Sequence, residues 1–228
     1  MNVCIVIPVY NSPYIMEVVE DVLNHGYELI VVDDGSDVMV ERDNFDFHLI
    51  THKTNQGKGE AILSGAKKAK ELGYKSFVTM DADKQHLSCE VVKLLDAFEE
   101  DMIVIGKRNF DDENVPKSSK FGRKFSNFWV NLETFRKFGD TQSGFRIYPV
   151  SILELNISNR RFDFEIEVLA LHCFRGGKTA DVDVECYYPP KQDRVSHFDK
   201  LKDNLRISLL HAKLVVQRFV FLRGFLWK

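Results

Sequence analysis

The chain has 228 residues, 44% of them hydrophobic, and a formal net charge of −3. That length suits one α/β domain with a small C-terminal addition, and the hydrophobic fraction is that of a globular protein with a real core. An acidic balance with no helix-turn-helix or RNA-binding signature speaks against a nucleic-acid partner.

The N-terminal run ending at Pro8 has no basic start and no small-residue cleavage site, so no signal peptide is expected. It is too short to span a bilayer, and charged or polar residues interrupt every later apolar run. The expected location is cytoplasmic, at most peripheral on the inner face of a membrane. Cys4, Cys89, Cys173 and Cys186 have no C-x-x-C spacing, which predicts buried free thiols in a reducing compartment rather than a zinc site. Charge is uneven: residues 191–228 hold nine Lys or Arg against three Asp.

In chain order, residues 3–9 read as a buried strand and residues 14–24 as a helix stopped by Gly26. Strands follow at 29–32 and near 45–51. An Ala- and Lys-rich helix covers 58–72, and a fourth strand covers 76–80. A helix near 88–100 and a strand at 102–106 complete the alternation. Residues 107–120 are polar, contain Pro116 and read as a mobile loop. Helices are predicted at 121–138 and 164–175, a half-exposed strand at 179–187, and a helix from 199 to about 225. Alternating strands and helices with short connections predict a single α/β domain, with a mostly parallel sheet and helices on both faces.

In such sheets ligands bind beyond the carboxyl ends of the strands. Three predicted strands end in polar clusters: Pro8-Val9-Tyr10-Asn11, Asp33-Asp34-Gly35-Ser36 and Asp81-Ala82-Asp83-Lys84-Gln85-His86. Asp81 and Asp83 can share one hard cation, Mg2+ or Mn2+, through oxygen ligands, with Gln85 or His86 adding a donor atom. Such a metal would neutralise charge on a leaving diphosphate. At least one of Asp33 and Asp34 can accept hydrogen bonds from a nucleoside. Asn55-Gln56-Gly57-Lys58-Gly59 opens a helix, where an anion is favoured and Lys58 can reach a phosphate. It is not a P-loop, because the G-x-x-x-x-G-K-[ST] spacing is missing.

These motifs, in this order over the first 90 residues, resemble the family-2 glycosyltransferases with the nucleotide-diphospho-sugar (A-type) fold. Gly106-Lys107-Arg108 and Asp140-Thr141-Gln142-Ser143-Gly144-Phe145-Arg146 are similar to segments of dolichyl- and polyprenyl-phosphate transferases. Arg194-Val195-Ser196-His197-Phe198 and Asp203-Asn204-Leu205-Arg206-Ile207-Ser208 look like a bacterial subgroup associated with glycolipid assembly. The resemblance implies an inverting, metal-dependent transfer from a UDP- or GDP-sugar to a lipid-linked acceptor such as a polyprenyl phosphate. It implies a nucleoside pocket of Pro8, Tyr10, Asn11 and Asp34, with Ala82 also against the donor. Asp81, Asp83 and Gln85 would hold the metal, Asp83 having a catalytic part as well. Arg108, Arg123 and Arg146 would face an acceptor phosphate. Lys191, Arg194 and His197 would lie on a loop over the phosphates.

His197 stands where polyprenyl-phosphate enzymes often carry lysine, which keeps a saccharide or other hydroxyl acceptor open. A hydroxyl needs a base, and Glu165, at the start of the 164–175 helix, is the candidate. A nucleotidyltransferase would need a Gly-rich, basic first loop, which Pro8-Val9-Tyr10-Asn11 lacks. The catalytic domain is expected over residues 1–198. Residues 199–228 form a basic amphipathic segment, with Leu201, Leu205, Leu209, Ala212 and Val216 at helical spacing, packed on the domain or on an anionic membrane surface.

Overall fold

The computed structural model describes residues 3–109, 115, 117–189 and 200–226. The order of elements is β1 (Cys4–Val9), α1 (Ile15–Asn24), β2 (Glu28–Asp33), β3 (His48–Thr51), α2 (Lys58–Glu71), β4 (Ser76–Thr79), α3 (Val91–Asp96) and β5 (Met102–Arg108). The second half continues with α4 (Lys117–Thr134), β6 (Arg146–Pro149), α5 (Phe164–Phe174), β7 (Lys178–Val184) and α6 (Lys200–Leu226).

The strands form one seven-stranded sheet in the order β3-β2-β1-β4-β6-β5-β7. All pairings are parallel except those of β6, which runs antiparallel to both β4 and β5. The expected mostly parallel α/β sheet is thus observed. The sequence reading missed β6, and its physical reason is local. Arg146-Ile147-Tyr148-Pro149 is only four residues long and begins with an arginine, yet all four are buried.

β1 and β2 are continuous apolar runs because helices cover both faces. Alternate residues feed two cores. Cys4 and Val6 of β1, with Ile30 and Val32 of β2, pack against α2, α5 and α6. Ile5 and Ile7, with Leu29 and Val31, pack against α1 and α3. Sequential strands diverge on either side of β1, so β1 and β4 create a crevice at their carboxyl ends.

Several boundaries differ from expectation. α3 spans only Val91–Asp96, preceded by a 3-10 turn at Ser88–Glu90. α4 starts at Lys117, inside the segment read as a loop. Residues 110–114 and 116 of that segment lie outside the described residues. Of the thiols, Cys4 and Cys173 are buried, Cys186 is partly buried and Cys89 is exposed; all four are free. Among the described residues no helix is long and apolar enough to cross a membrane.

Candidate active site

A cleft of about 270 Å3 opens at the carboxyl ends of β1 and β4. Its walls include Pro8, Tyr10, Asp34, Lys58, Asp81, Ala82 and Asp83. Residues from three separate strand ends therefore meet in one place, as the sequence pattern predicted. Ser12, Asn55, Gly57, Arg161 and Phe162 also line it. Sequence reasoning did not single out Ser12, Arg161 or Phe162. The one signal for the latter two was a basic–aromatic run, Arg160-Arg161-Phe162, just before α5.

The adjacent acids of the second cluster part company. Asp33 is fully buried: Oδ1 accepts from the Ser36 backbone N–H at 2.9 Å, and Oδ2 from that of Val40 at 3.0 Å. It organises the 36–40 loop and does not line the cleft, so its place among the donor contacts is corrected. Asp34 points the other way. Its Oδ1 accepts from the Gln56 N–H at 2.9 Å and meets His52 Nδ1 at 2.7 Å; Oδ2 accepts from the Gly57 N–H at 2.7 Å. Asp34 therefore serves as the acid at the start of α2, where a negative charge is favoured. The Gln56 and Gly57 N–H groups, expected to face an anion, are already taken. Gly57 has φ +106°, and a Cβ there would fall 2.3 Å from the Arg160 carbonyl oxygen, so only glycine fits this turn.

Asn11 also lies outside the cleft walls. Its N–H donates to Ser36 Oγ at 2.9 Å, and its amide exchanges hydrogen bonds with Asp37, tying the β1 loop to the β2 loop. Ser12 Oγ donates to the Ala82 carbonyl and ties the β1 loop to the β4 loop.

Lys58 is the electrostatic hub. Its ammonium lies 2.6 Å from Asp81 Oδ1 and 2.8 Å from Glu165 Oε1. Burial works against the Lys58 charge, but the two carboxylates override it and hold its pKa above the usual range. Burial likewise works against the Asp81 carboxylate, yet Lys58 keeps Asp81 below the usual range. Asp83 is pushed up, by burial first and by the Asp81 charge second. Glu165, the candidate base, is buried, and this ion pair engages one of its oxygens.

Gln85 faces Asp83 through nitrogen, not oxygen. Its backbone N–H donates to Oδ1 at 3.0 Å and its side-chain amide to Oδ2 at 2.8 Å. In this arrangement it orients the Asp83 carboxylate. His86 is buried, which drives its pKa down to about 4. Its Nδ1 accepts from the Asp81 N–H at 3.1 Å, and its ring stacks on Phe145 with centroids 5.0 Å apart. Both residues thus brace the 81–86 loop.

Gly144 has a role that sequence reasoning left unassigned. A Cβ at Gly144 would lie 2.6 Å from both Asp81 Oδ2 and Lys58 Nζ. The absent side chain is what lets the Lys58–Asp81 pair settle against the 140–146 segment.

At the end of β5, Arg108 makes a forked pair with buried Asp140: Nε to Oδ2 at 2.7 Å and Nη2 to Oδ1 at 3.0 Å. Arg123 of α4 donates to the Arg108 carbonyl at 3.3 Å. Both arginines are therefore neighbours on one rim. Arg146, expected at an acceptor phosphate, is fully buried. It donates to the carbonyls of Ser143 (2.7 Å), Glu165 (2.9 Å) and Thr141 (2.7 Å), so it is an internal strut and its acceptor role is corrected. Lys191, Arg194 and His197 lie outside the described residues.

The profile of glycosyl transferase family 2 matches residues 4–155, most of the chain and every motif of the cleft except Arg161-Phe162. The chain belongs to glycosyl transferase family 2. As a glycosyltransferase it has relatives with named substrates. It is 32% identical over 178 residues to UDP-N-acetylglucosamine–dolichyl-phosphate N-acetylglucosaminyltransferase of Methanococcus voltae, an alignment spanning 66% of this chain and 70% of that one. It is 26% identical over 187 residues to undecaprenyl-phosphate mannosyltransferase of Micrococcus luteus, spanning 74% of this chain and 76% of the relative. Glucosyl-3-phosphoglycerate synthase from Mycobacterium tuberculosis, solved with Mn2+, UDP and glucosyl-3-phosphoglycerate, superposes with a TM-score of 0.67 at 17% identity, over 95% of this chain and 79% of that chain. That likeness establishes the fold. The family and nucleotide-sugar fold expected from the motifs are therefore borne out for this family-2 glycosyltransferase.

Proposed function

We propose that this glycosyltransferase moves a sugar from a UDP- or GDP-sugar to a polyprenyl-phosphate-type lipid, with a divalent metal held by Asp81 and Asp83. The observation that carries this reading is the pairing of two unlike rims across the same sheet edge. One rim is a carboxylate pair beside a cleft of nucleotide size. The other is the Arg108–Asp140 fork with Arg123 next to it. The names of the dolichyl- and undecaprenyl-phosphate relatives support a lipid phosphate as acceptor.

The carboxylates fit Mg2+ or Mn2+. They are hard oxygen donors one residue apart, and Asp83, pushed up by burial first and by the Asp81 charge second, is the oxygen pair that gains most from a cation beside it. Among the described residues no third Asp, Glu, His or Cys joins them, which leaves room for diphosphate oxygens. When bound, the metal supplies charge neutralisation for the departing nucleoside diphosphate. Lys58 adds a fixed positive charge beside Asp81 and is the residue assigned to the donor phosphates. Pro8, Tyr10, Asp34 and Ala82 shape the nucleoside side of the cleft.

The acceptor phosphate is ionised at neutral pH and needs no base. Arg108 and Arg123 orient it. Its oxygen attacks the anomeric carbon opposite the leaving diphosphate; the new C–O bond forms as the old one breaks, which inverts the anomeric centre. Glu165 holds Lys58 in place and becomes a base only if the acceptor is a hydroxyl.

The test is incubation of the protein with radiolabelled nucleotide-sugars, Mn2+ and a polyprenyl phosphate in detergent. Label should pass into the organic phase, and Asp83→Asn should abolish this. Label confined to a water-soluble product would transfer the assignment to a hydroxyl acceptor. No transfer with any donor, from folded protein that binds UDP, would sink the reading.

A further inference from the structure

The long helices α4 and α6 each bury one face and leave a strongly apolar face outside. In α4, Ser126, Val130, Glu133 and Thr134 turn inward. Phe121, Phe125, Phe128 and Leu132 lie on the opposite side, and Phe121 is 72% exposed. Their spacing of four, three and four residues makes one helical stripe. In α6, Ile207, Leu210 and Leu214 are buried, while Leu205, Leu209 and Val216 face outward, Leu209 being 63% exposed. The amphipathic stripe legible in the sequence of α6 is therefore mostly the outer face of that helix, and a second set of apolar residues holds it to the domain.

The helices that carry the two stripes lie side by side, and Phe125 of the α4 stripe meets His211 of α6 edge-on with ring centroids 6.1 Å apart. Glu133 Oε1 meets His211 Nδ1 at 2.8 Å, and the Trp129 ring stacks on His211 with centroids 6.2 Å apart. Farther along, the Arg218 guanidinium sits 5.0 Å from the centre of the Phe135 ring. Exposed apolar stripes on two adjoining helices mark an interaction site.

Charge identifies the partner. α4 carries Lys117, Lys120, Arg123 and Lys124 and one acid, Glu133. α6 carries six Lys or Arg and one acid, Asp203. Both acids are buried. Among the described residues of the two helices the surface is thus apolar and cationic, with no exposed acid. A second copy meeting it face to face would set cation against cation. An anionic bilayer satisfies both properties, taking the aromatic stripe at the acyl boundary and the lysines at the headgroups.

We infer that the paired outer faces of α4 and α6 form a docking surface for an anionic phospholipid bilayer. The inner face of α4 is built into the site rim. Arg123 bonds the Arg108 carbonyl, Ser126 bonds Thr141 at 2.8 Å, and Asn127 donates to the Gly139 carbonyl at 2.7 Å. Docking through α4 therefore brings the Arg108–Asp140 rim to the membrane. The inference stands on exposure and charge, and it complements the lipid-acceptor reading without depending on it.

The test is co-sedimentation of the full chain with phosphatidylcholine vesicles, with and without phosphatidylglycerol. The chain should bind the anionic vesicles, and added salt should weaken binding. Phe128→Glu combined with Leu209→Glu should weaken it by about tenfold or more, with unchanged circular dichroism. Lys120→Glu combined with Lys124→Glu should remove the preference for phosphatidylglycerol. Absence of binding, or binding untouched by Phe128→Glu and Leu209→Glu, would overturn the inference. So would a dimer in solution that these substitutions dissociate. A chain that ignores vesicles yet labels polyprenyl phosphate in detergent would remove the docking surface and leave the proposed function intact.

Discussion

The Lys58 ammonium rests 2.6 Å from Asp81 Oδ1, and the missing side chain of Gly144 makes this approach possible. Gly144→Ala sets a methyl group against both partners at once. Titration of UDP with Mn2+ present should show affinity lowered about tenfold or more, while urea unfolding loses less than about 2 kcal/mol. Unchanged UDP affinity would separate Gly144 from the site.

Arg146 should behave as a structural residue. Arg146→Met removes donors from three buried carbonyls and should cost about 3 kcal/mol or more of folding stability. The surviving folded enzyme should keep its KM for the acceptor. A raised acceptor KM at normal stability would return Arg146 to the phosphate.

Arg108 offers the opposite case. Arg108→Lys keeps the charge but loses the fork to Asp140. Transfer to a phosphate acceptor should drop roughly tenfold in kcat/KM, about 1.4 kcal/mol, with UDP binding unchanged. An equal loss in UDP affinity would show that Arg108 serves the donor side instead.

Glu167 anchors α6 and makes part of that anchorage pH-dependent. It accepts from Lys213 at 2.9 Å and from the N–H groups of Ser158 and Asn159. Burial alone would raise its pKa, but the Lys213 hydrogen bond, the Asn159 N–H and the Ser158 hydroxyl outweigh it, and the folded value falls below the ordinary 4.5. A lowered folded pKa stabilises the protein above the unfolded value, and the benefit is lost as pH falls through the folded one. Glu167→Gln should therefore be less stable by about 1–3 kcal/mol at pH 7. The gap should narrow as acid protonates the wild-type carboxylate, from about pH 4.5 downward. A pH-independent gap in chemical unfolding would contradict this.

The sequence was most legible where burial is two-sided. β1 and β2 are apolar at nearly every position because helices cover both faces, and the polar residues that follow them mark the functional edge. It was least legible where side chains answer to the backbone. Arg146 reads as a surface cation, yet its partners are carbonyls that leave no trace in residue type. Asp33 and Asp34 are identical letters, but consecutive residues point to opposite sides of an extended chain. One therefore folds a loop and the other reaches the cleft. Gln85 and His86 were legible as neighbours of the carboxylates, but not as their braces. In α6 the apolar spacing was visible, whereas which stripe faced outward depended on a second set of residues, Ile207, Leu210 and Leu214.

The reversed direction of β6 closes a loop of chain at the edge of the cleft. Every other strand delivers chain to the cleft at its carboxyl end, but β6 receives chain there, so the 109–145 segment leaves from β5 and returns beside it. That segment is a closed excursion anchored at both ends to adjacent strands. Its returning end is held from both sides, Asp140 by the Arg108 fork and Gly144 by Thr79 of β4 and the Lys58–Asp81 pair. A displacement of that returning end would therefore reach the donor carboxylates and the arginine rim together.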